Sequence, residues 1–248
     1  MGVEVRLRPV SRFVVVALLI TSAAPTYAQS RDLSRELPFH TIALTTGATS
    51  TSVDALNAVL IGAHFAGLSN DGISYGGTGY FSVGRAMIGF DAARTTFGEE
   101  GLDNGRTDDL SSTQVLLTAS YALVSTGRVA VFPSIGVGFG RIQLALRDRA
   151  GGATVGAAQP TFAEVATAPG TESNLTGDHL LFSVGGGGDY LILRNTRDDF
   201  GIVFGVRAGY MIAPNRTTWT RNAQTVIAGP DASAGGPFLR IVVGVGGR

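Results

Sequence analysis

The sequence has 248 residues, of which 35 are Gly and 15% are charged, and it contains no Cys. The lack of Cys excludes disulfides, thiol chemistry and a lipid-modified cysteine. Because the formal net charge is zero, the chain lacks the cationic excess that nucleic acid binding requires. It contains no Lys, so its cationic side chains are all Arg. The length allows one domain or a small pair of domains.

Residues 1–28 have the three parts of a secretory signal peptide. Basic residues precede an apolar segment at 13–20, and Ala28 follows Thr26 with the spacing of a cleavage site. The apolar segment is too short for the roughly 20 residues of a membrane-spanning helix. We therefore expect export by the general secretory route, cleavage after Ala28, and a short polar leader at 29–38. The basic residues are Arg6, Arg8 and Arg12.

Beyond the leader, bulky apolar residues alternate with small or polar ones, which is the period-two pattern of strands. Residues 129–139 are the clearest case, since neither face carries a charge. No later segment is apolar for long enough to form a membrane helix, so a membrane-embedded chain must be a closed barrel. In chain order the pattern predicts eight strands, at 39–46, 55–68, 73–96, 113–124, 128–147, 179–194, 199–213 and 237–247.

We assign the bulky apolar side chains to the outer, lipid-facing side of this barrel, and the glycines and polar residues to its inside. On the third predicted strand this places Tyr80, Ala86, Ile88 and Phe90 outside. On the other strands the outward side chains include Val131, Ile135, Phe204 and Val243.

Loop lengths predict the topology. Tight turns are expected at 69–72, 125–127 and 195–198, whereas long loops are expected at 98–110, 148–177 and 214–236. Short turns at one end and long loops at the other are typical of outer-membrane barrels, whose termini both lie at the short-turn end. A weak strand pattern within 148–177 leaves open an extra hairpin there.

With its signal peptide, alternation, loop asymmetry and final strand GPFLRIVVGVGG, the chain resembles the small bacterial outer-membrane β-barrels of the eight-stranded OmpA/OmpX-like kind. The resemblance covers about 39–248 and implies an all-β fold, a closed up-and-down antiparallel transmembrane barrel. It implies as partners outer-membrane lipid, lipopolysaccharide and the barrel assembly machinery. Such barrels usually end on an aromatic residue, whereas this chain ends Gly-Gly-Arg, which implies an assembly signal further upstream, at Phe238. The soluble alternative is a lipocalin-like or jelly-roll protein.

The inner face carries several polar residues that an eight-stranded barrel would have to enclose. Because buried charges must be paired, we predict a polar network that fills the lumen. A conducting pore is the alternative, since many inward positions are Gly. The candidate network consists of Arg85, Gln114, Asp189, Arg207 and Arg240, with His179 also on the inner face.

No residue pattern indicates catalysis or a metal site. His179 and Ser183 are four residues apart on one strand, about 13 Å, which is too far for a nucleophile and its base. The acidic segment 98–110 does not match a calcium-binding loop, and a solvated loop is favoured. We expect no enzyme activity, cofactor or metal.

The predicted function is therefore a structural or surface-interaction role through the long loops. A small-solute channel is the alternative, and an outer-membrane protease or lipid A-modifying hydrolase comes third. The sequence indicates no particular extracellular ligand.

Overall fold

The computed structural model describes residues 40–101, 105–126, 128–151, 155–156, 159–195 and 200–247. The predicted signal peptide at 1–28 and leader at 29–38 lie outside these residues and stay predictions. The predicted turn at 195–198 lies almost wholly outside them as well. Among the described residues, no helix has the length and apolarity needed to cross a membrane.

The predicted fold class is confirmed: eight antiparallel strands form a closed barrel. Each strand pairs with its neighbour in sequence, and the first and last strands pair with each other to close the sheet. The barrel strands are β1 (His40–Ser50), β2 (Asp71–Val83), β3 (Ala86–Gly101), β4 (Arg106–Tyr121), β6 (Val129–Asp148), β7 (Glu172–Asn195), β8 (Phe200–Ile212) and β11 (Gly236–Gly247).

Shorter elements lie between the barrel strands. The short strand β5 (Val124–Ser125) pairs with the start of β6 at the end of the barrel that carries the short turns. At the opposite end, the long-loop end, lie two helices and a small hairpin that pairs with β7. They are α1 (Asp54–Gly62), α2 (Phe162–Thr167), β9 (Trp219–Arg221) and β10 (Gln224–Thr225).

The strand predicted at 55–68 is wrong, because this segment begins with α1. Leu56 and Leu60 are four residues apart and fully buried on one helical face. A short apolar run fits a helix and a strand equally well, so periodicity alone could not separate them. The tight turn predicted at 69–72 is also wrong, since this segment leads from the helix into β2. The side-chain amide of Asn57 donates to the Leu68 carbonyl and accepts from the Leu68 N–H, which fixes the chain just before this segment.

The single strand predicted at 73–96 is two strands, β2 and β3, joined by Gly84 and Arg85. Gly84 has a φ of +60°, as the first central position of a type II′ hairpin turn requires. Because Val83 pairs directly with Ala86, outward positions change from odd numbers on β2 to even numbers on β3. Tyr80 therefore faces the lumen and not the lipid, which corrects its predicted position. The strand wrongly predicted at 55–68 and the two strands merged at 73–96 offset each other, so the predicted total of eight barrel strands is correct.

The other predicted outward side chains are exposed or half-buried, as Val131 is, and they form an apolar band around the barrel. On β6, Ile135 and Phe139 are 64% and 74% exposed, whereas Phe132 on the inner face is 4% exposed. The run from Val129 to Phe139 rises about 33 Å along the strand. With a strand tilt of about 40° this is a height of about 25 Å, which matches a bilayer. The band includes Ile42, Leu44, Phe81, Ile88, Phe90, Val115, Leu117, Val137, Phe182, Val184, Phe204, Val206, Ile241, Val243 and Val245.

Above the band the two faces of β6 exchange character. Arg141 and Gln143 face outward there, while Ile142, Leu144 and Leu146 face inward and are buried. The wall is also uneven in height, since β6 and β7 have 20 and 24 residues but β1 and β11 have 11 and 12. The long loop predicted at 98–110 is accordingly wrong, because β3 and β4 extend into it as far as Gly101 and Arg106.

A charge placed in the apolar band tests the membrane-facing assignment. We expect Val137→Arg to lower the free energy of unfolding in phospholipid vesicles by about 2–4 kcal/mol, because the guanidinium would face hydrocarbon. Gln143→Arg, on the same face of β6 but above the band, is the matched control and should change stability by less than about 1 kcal/mol. Guanidinium titrations followed by gel migration of folded and unfolded barrel measure both. Equal effects of the two substitutions would show that residue 137 does not face lipid.

Candidate functional site: the closed lumen and its loop cover

A buried ion pair fills the lumen near the short-turn end. Arg207 donates two hydrogen bonds to Asp189, of 2.7 and 2.9 Å, and the Tyr80 hydroxyl donates a third, of 2.9 Å. The Arg207 guanidinium also lies 4.7 Å from the centre of the Phe132 ring. The two hydrogen bonds fix the orientation of the Arg207 guanidinium against the Asp189 carboxylate. The rings of Tyr80 and Phe132 occupy the space around this ion pair.

A second ion pair lies beside the first. Arg240 Nη1 lies 2.6 Å from Asp91 Oδ1, and the guanidinium lies 5.0 Å from the centre of the Phe238 ring. Arg240 is directly opposite Arg207 on the neighbouring strand. Two like charges in this position repel each other, and each is neutralised by its own carboxylate.

Two inward glycines of β7 and β8 make room for the first pair. A Cβ added at Gly205 would lie under 3.0 Å from the Asp189 carboxylate, and one at Gly187 would lie 2.5 Å from Arg207 Cδ. Side chains of the ion pair therefore occupy the space that these glycines leave, and this space is not an open channel.

The structure brings together three of the five residues of the predicted network: Asp189 and Arg207 in contact, with Arg240 next to Arg207. Gln114 faces inward on β4 and is 2% exposed, but its amide makes no hydrogen bond to any described residue. Arg85 is a correction, since it lies in the turn between β2 and β3 and not on the lumen wall. A continuous strand at 73–96 predicts an inward Arg85, whereas Gly84 and Arg85 form a hairpin turn.

Sequence reasoning missed two members of the network, Tyr80 and Asp91. A continuous strand at 73–96 predicts Tyr80 on the outside, whereas the turn at Gly84 reverses the alternation. Asp91 occupies an inward position of β3, but its partner Arg240 is 149 residues away, and no local pattern signals that contact.

A small cavity of about 60 Å³ lies between the two pairs and the wall. Hydroxyl groups of Ser120, Ser134 and Ser183 line it together with both arginines. A cavity of this size accommodates a few water molecules.

The long-loop end of the barrel is covered by α1, α2 and residues 213–235, which together we term the loop cover. Its apolar side chains pack against the inward side chains of the extended strands in one core. The rings of Phe162 and Trp219 are 5.4 Å apart, and the Trp219 indole donates to the Pro230 carbonyl. This core includes Val53, Leu56, Leu60, Phe65, Leu110, Leu144, Leu146, Val165, Leu175, Val226 and Ala234.

Arg106 of β4 joins both helices of the loop cover to the barrel wall. Its guanidinium donates to the Ala63 carbonyl after α1, to the Thr167 carbonyl at the end of α2, and to the Asp148 carboxylate. It also lies 5.6 Å from the centre of the Phe65 ring. Helix C-termini leave carbonyl groups unpaired and favour a cation, so one guanidinium satisfies two helix ends.

The helix α2 occupies part of the segment 148–177, in which the sequence left open an extra hairpin. Thr161 and Glu164 form a capping box, in which each side chain hydrogen bonds to the backbone N–H of the other. Donation from the Thr161 backbone N–H lowers the pKa of the Glu164 carboxyl. The sequence TFAE therefore specifies a helix start.

In the described structure, His179 and the acidic segment lie on different strands of the barrel. His179 is 2% exposed beneath the loop cover, with its Nε2 3.5 Å from Thr217 Oγ1. In the extended hairpin of β3 and β4, Glu99 and Glu100 lie opposite Asp109 and Asp108. Within the described part of the chain, no group of three or more His, Cys, Asp or Glu residues could hold a metal ion.

Searches with the sequence find no matching protein-family model and no matching curated protein. The structure is similar to that of Neisserial surface protein A (NspA), with 14% sequence identity and a TM-score of 0.42, over 83% of this chain and 94% of that chain. It is also similar to that of the outer membrane protease OmpT from Escherichia coli, with 11% identity and a TM-score of 0.33, over 84% of this chain and 94% of that chain.

Adjacent glycines on β7 offer a matched test of the filled lumen. We expect Gly187→Ala to destabilise the barrel by about 1–3 kcal/mol, because the new methyl group would meet Arg207 and the Val206 carbonyl. Gly188→Ala should stay within about 0.5 kcal/mol, since its methyl group would have ordinary contacts of 3.5 Å or more on the outer face. Denaturant titrations measure both variants. A larger loss for Gly188→Ala would place the crowded side of β7 on the outside.

The role of Arg106 predicts a local effect of its removal. We expect Arg106→Ala to increase amide hydrogen exchange of α1 and α2 by about 10–100-fold, because each charged hydrogen bond contributes about 1.5–3 kcal/mol. Exchange in the barrel strands should be unchanged. Arg149→Ala removes an exposed arginine after β6 and is the control. Unchanged exchange in both helices would show that the apolar core alone holds the loop cover.

Proposed function

We propose that the protein is an integral outer-membrane barrel with a closed lumen, and that it acts through the surfaces beyond the bilayer in a structural or surface-interaction role. The apolar band around a closed barrel is the observation that carries this proposal. A soluble protein that exposed such a continuous apolar surface would aggregate, whereas a bilayer requires it.

The interior supports a closed barrel over a channel. Two ion pairs with their aromatic neighbours cross the lumen, and the loop cover closes the long-loop end with an apolar core. The cavity between the pairs, about 60 Å³, is too small for a solute such as a sugar. Passage of solutes would require both the cover and the ion pairs to move.

The same cover argues against catalysis at the inner-face histidine. His179 lies under Thr217, and the hydroxyl of Thr217 is already hydrogen bonded to the backbone of Ala232. A substrate entering from the long-loop end would have to displace the segment 213–235. We therefore propose a non-catalytic role for this end of the barrel.

The long-loop end is proposed to face the outside of the cell. The ends of β1 and β11 that lie next to the chain termini are both at the short-turn end, as in barrels whose termini face the periplasm. In this orientation the loop cover and the extended outer faces of β3, β4, β6 and β7 are the surfaces open to a partner.

Cell fractionation with gel migration tests this function. We expect the protein in the outer-membrane fraction, with a shift in migration on boiling, because a hydrogen-bonded barrel resists detergent until heated. In planar bilayers the purified protein should give no stepwise conductance, since its lumen is filled. An open porin prepared in the same way is the positive control.

Two results would contradict the proposal. Recovery from the periplasm or the medium, with no heat-dependent shift, would indicate a soluble protein. Reproducible single-channel steps would overturn the closed lumen and make the channel the better function.

A further inference from the structure

A basic row crosses the outer face of the barrel where the apolar band ends. Arg94, Thr113 and Arg141 lie on the neighbouring strands β3, β4 and β6, directly opposite one another, and all three are exposed. The row continues to Tyr75 on one side and to Asp178 on the other.

We propose that this row binds the phosphate group of an anionic membrane lipid in the leaflet at the long-loop end. The inference rests on the proposed membrane location and assigns a lipid partner to one part of the outer wall. It concerns the outside of the barrel, away from the lumen and the loop cover.

The spacing of the row suits one phosphate. Neighbouring strands are about 4.8 Å apart, so the Cα atoms of Arg94 and Arg141 are separated by about 10 Å. Each side chain can reach toward Thr113, which lies between them in the register and carries a hydroxyl as a third donor. Guanidinium groups bind phosphate through paired hydrogen bonds, and two of them can hold one phosphate between them.

Within the described part of the chain, donors of both arginines remain available. Among these residues, Arg94 makes one weak side-chain hydrogen bond, of 3.4 Å, to Ser111. Arg141 bonds to Asp178 through Nε and Nη2, which leaves Nη1 for a ligand. The pair with Asp178 is exposed on both sides and contributes little, so it can rearrange around a phosphate.

The surface immediately below the row is apolar and strongly exposed. The next outward residues on β4 and β6 are Val115 and Phe139, which are 55% and 74% exposed. A ligand with its phosphate on the row would therefore have its hydrocarbon chains along these side chains. That combination fits a phosphorylated lipid better than a soluble phosphate compound.

The opposite wall lacks these features. The outward residues at the long-loop ends of β8, β11 and β1 are Ile212, Leu239 and Ala48, and none of them is charged. The basic row is therefore a local feature of one side of the barrel and not a general property of its rim.

In an outer membrane, the leaflet at this height contains phosphorylated glycolipid.

Lipid titration followed by native mass spectrometry tests the site. The full-length folded protein, in a zwitterionic detergent, is titrated with diphosphoryl lipid A and with the same lipid after removal of its phosphates. We expect the double variant Arg94→Gln/Arg141→Gln to bind the diphosphoryl lipid at least about tenfold more weakly than the wild type, because two charged hydrogen-bonding groups are lost. The double variant Arg147→Gln/Arg149→Gln removes the same number of charges about 20 Å further along the chain from Arg141, and as the matched control it should bind like the wild type.

The remaining outcomes overturn the proposal. Equal binding by the double variant and the wild type, or equal binding of the two lipids, would show that the row does not recognise phosphate. Inorganic phosphate is tested as a competitor, and if it binds alone with the affinity of the lipid, the ligand is free phosphate. Gel migration before and after boiling shows that each variant is folded, so loss of binding is separable from loss of the barrel. Cell fractionation tests the proposed membrane location independently of lipid binding and of folding.

Discussion

Closure of the sheet is the constraint on which the structure depends. β1 and β11 pair continuously from His40 opposite Gly247 to Thr49 opposite Phe238, and β6 pairs with β7 in the same way. Backbone N–H and C=O groups have no water to bond in hydrocarbon, so a strand can lie there only if both of its edges are paired. Once the edges are paired, outward side chains such as Leu44 and Val243 can be apolar without exposing the backbone.

Where the outer face of the barrel is apolar, polar groups lie inside. Further toward the long-loop end the outer face is polar and the inside is apolar. Within the apolar band, most inward positions of β6 are small, such as Ser134 and Gly136, and Arg207 and Asp189 pair in the lumen. Above the band the outer face meets water, and the inward residues become Ile142 and Leu144. The loop cover forms on these residues because an apolar interior is favourable wherever the exterior is solvated.

The repetitive part of this architecture could be predicted from the sequence, because a strand with two unlike environments requires a period of two. The alternation of β6, β8 and β11 placed their outward residues correctly. Prediction failed where the local pattern was ambiguous, as in α1, or where one glycine changed the register, as at Gly84. On β6 the apolar residues move from odd to even positions at Arg141, and this phase change is present in the sequence itself.

The contacts that close the lumen were beyond prediction because the stagger of the strands determines them. Arg240 lies opposite Arg207 because of the register between β11 and β8, and Asp91 reaches Arg240 across the interior. Arg106 joins two helices that are separated by about a hundred residues of sequence, and neither helix was predicted. Composition could indicate that inward charges must be paired, but only the three-dimensional register could assign the partners.

Uneven wall height explains why the two sides of the barrel differ in chemistry. β6 and β7 continue beyond the band, so their outer faces pass from hydrocarbon through the lipid headgroups into water. Side chains on such a face must match each layer in turn, and Phe139, Arg141 and Gln143 do so at successive outward positions. On the short side, β1 and β11 end near the top of the band, and the chain turns inward into the loop cover. Under the proposed function, a lumen closed at this end assigns recognition to the tall wall and the loop cover.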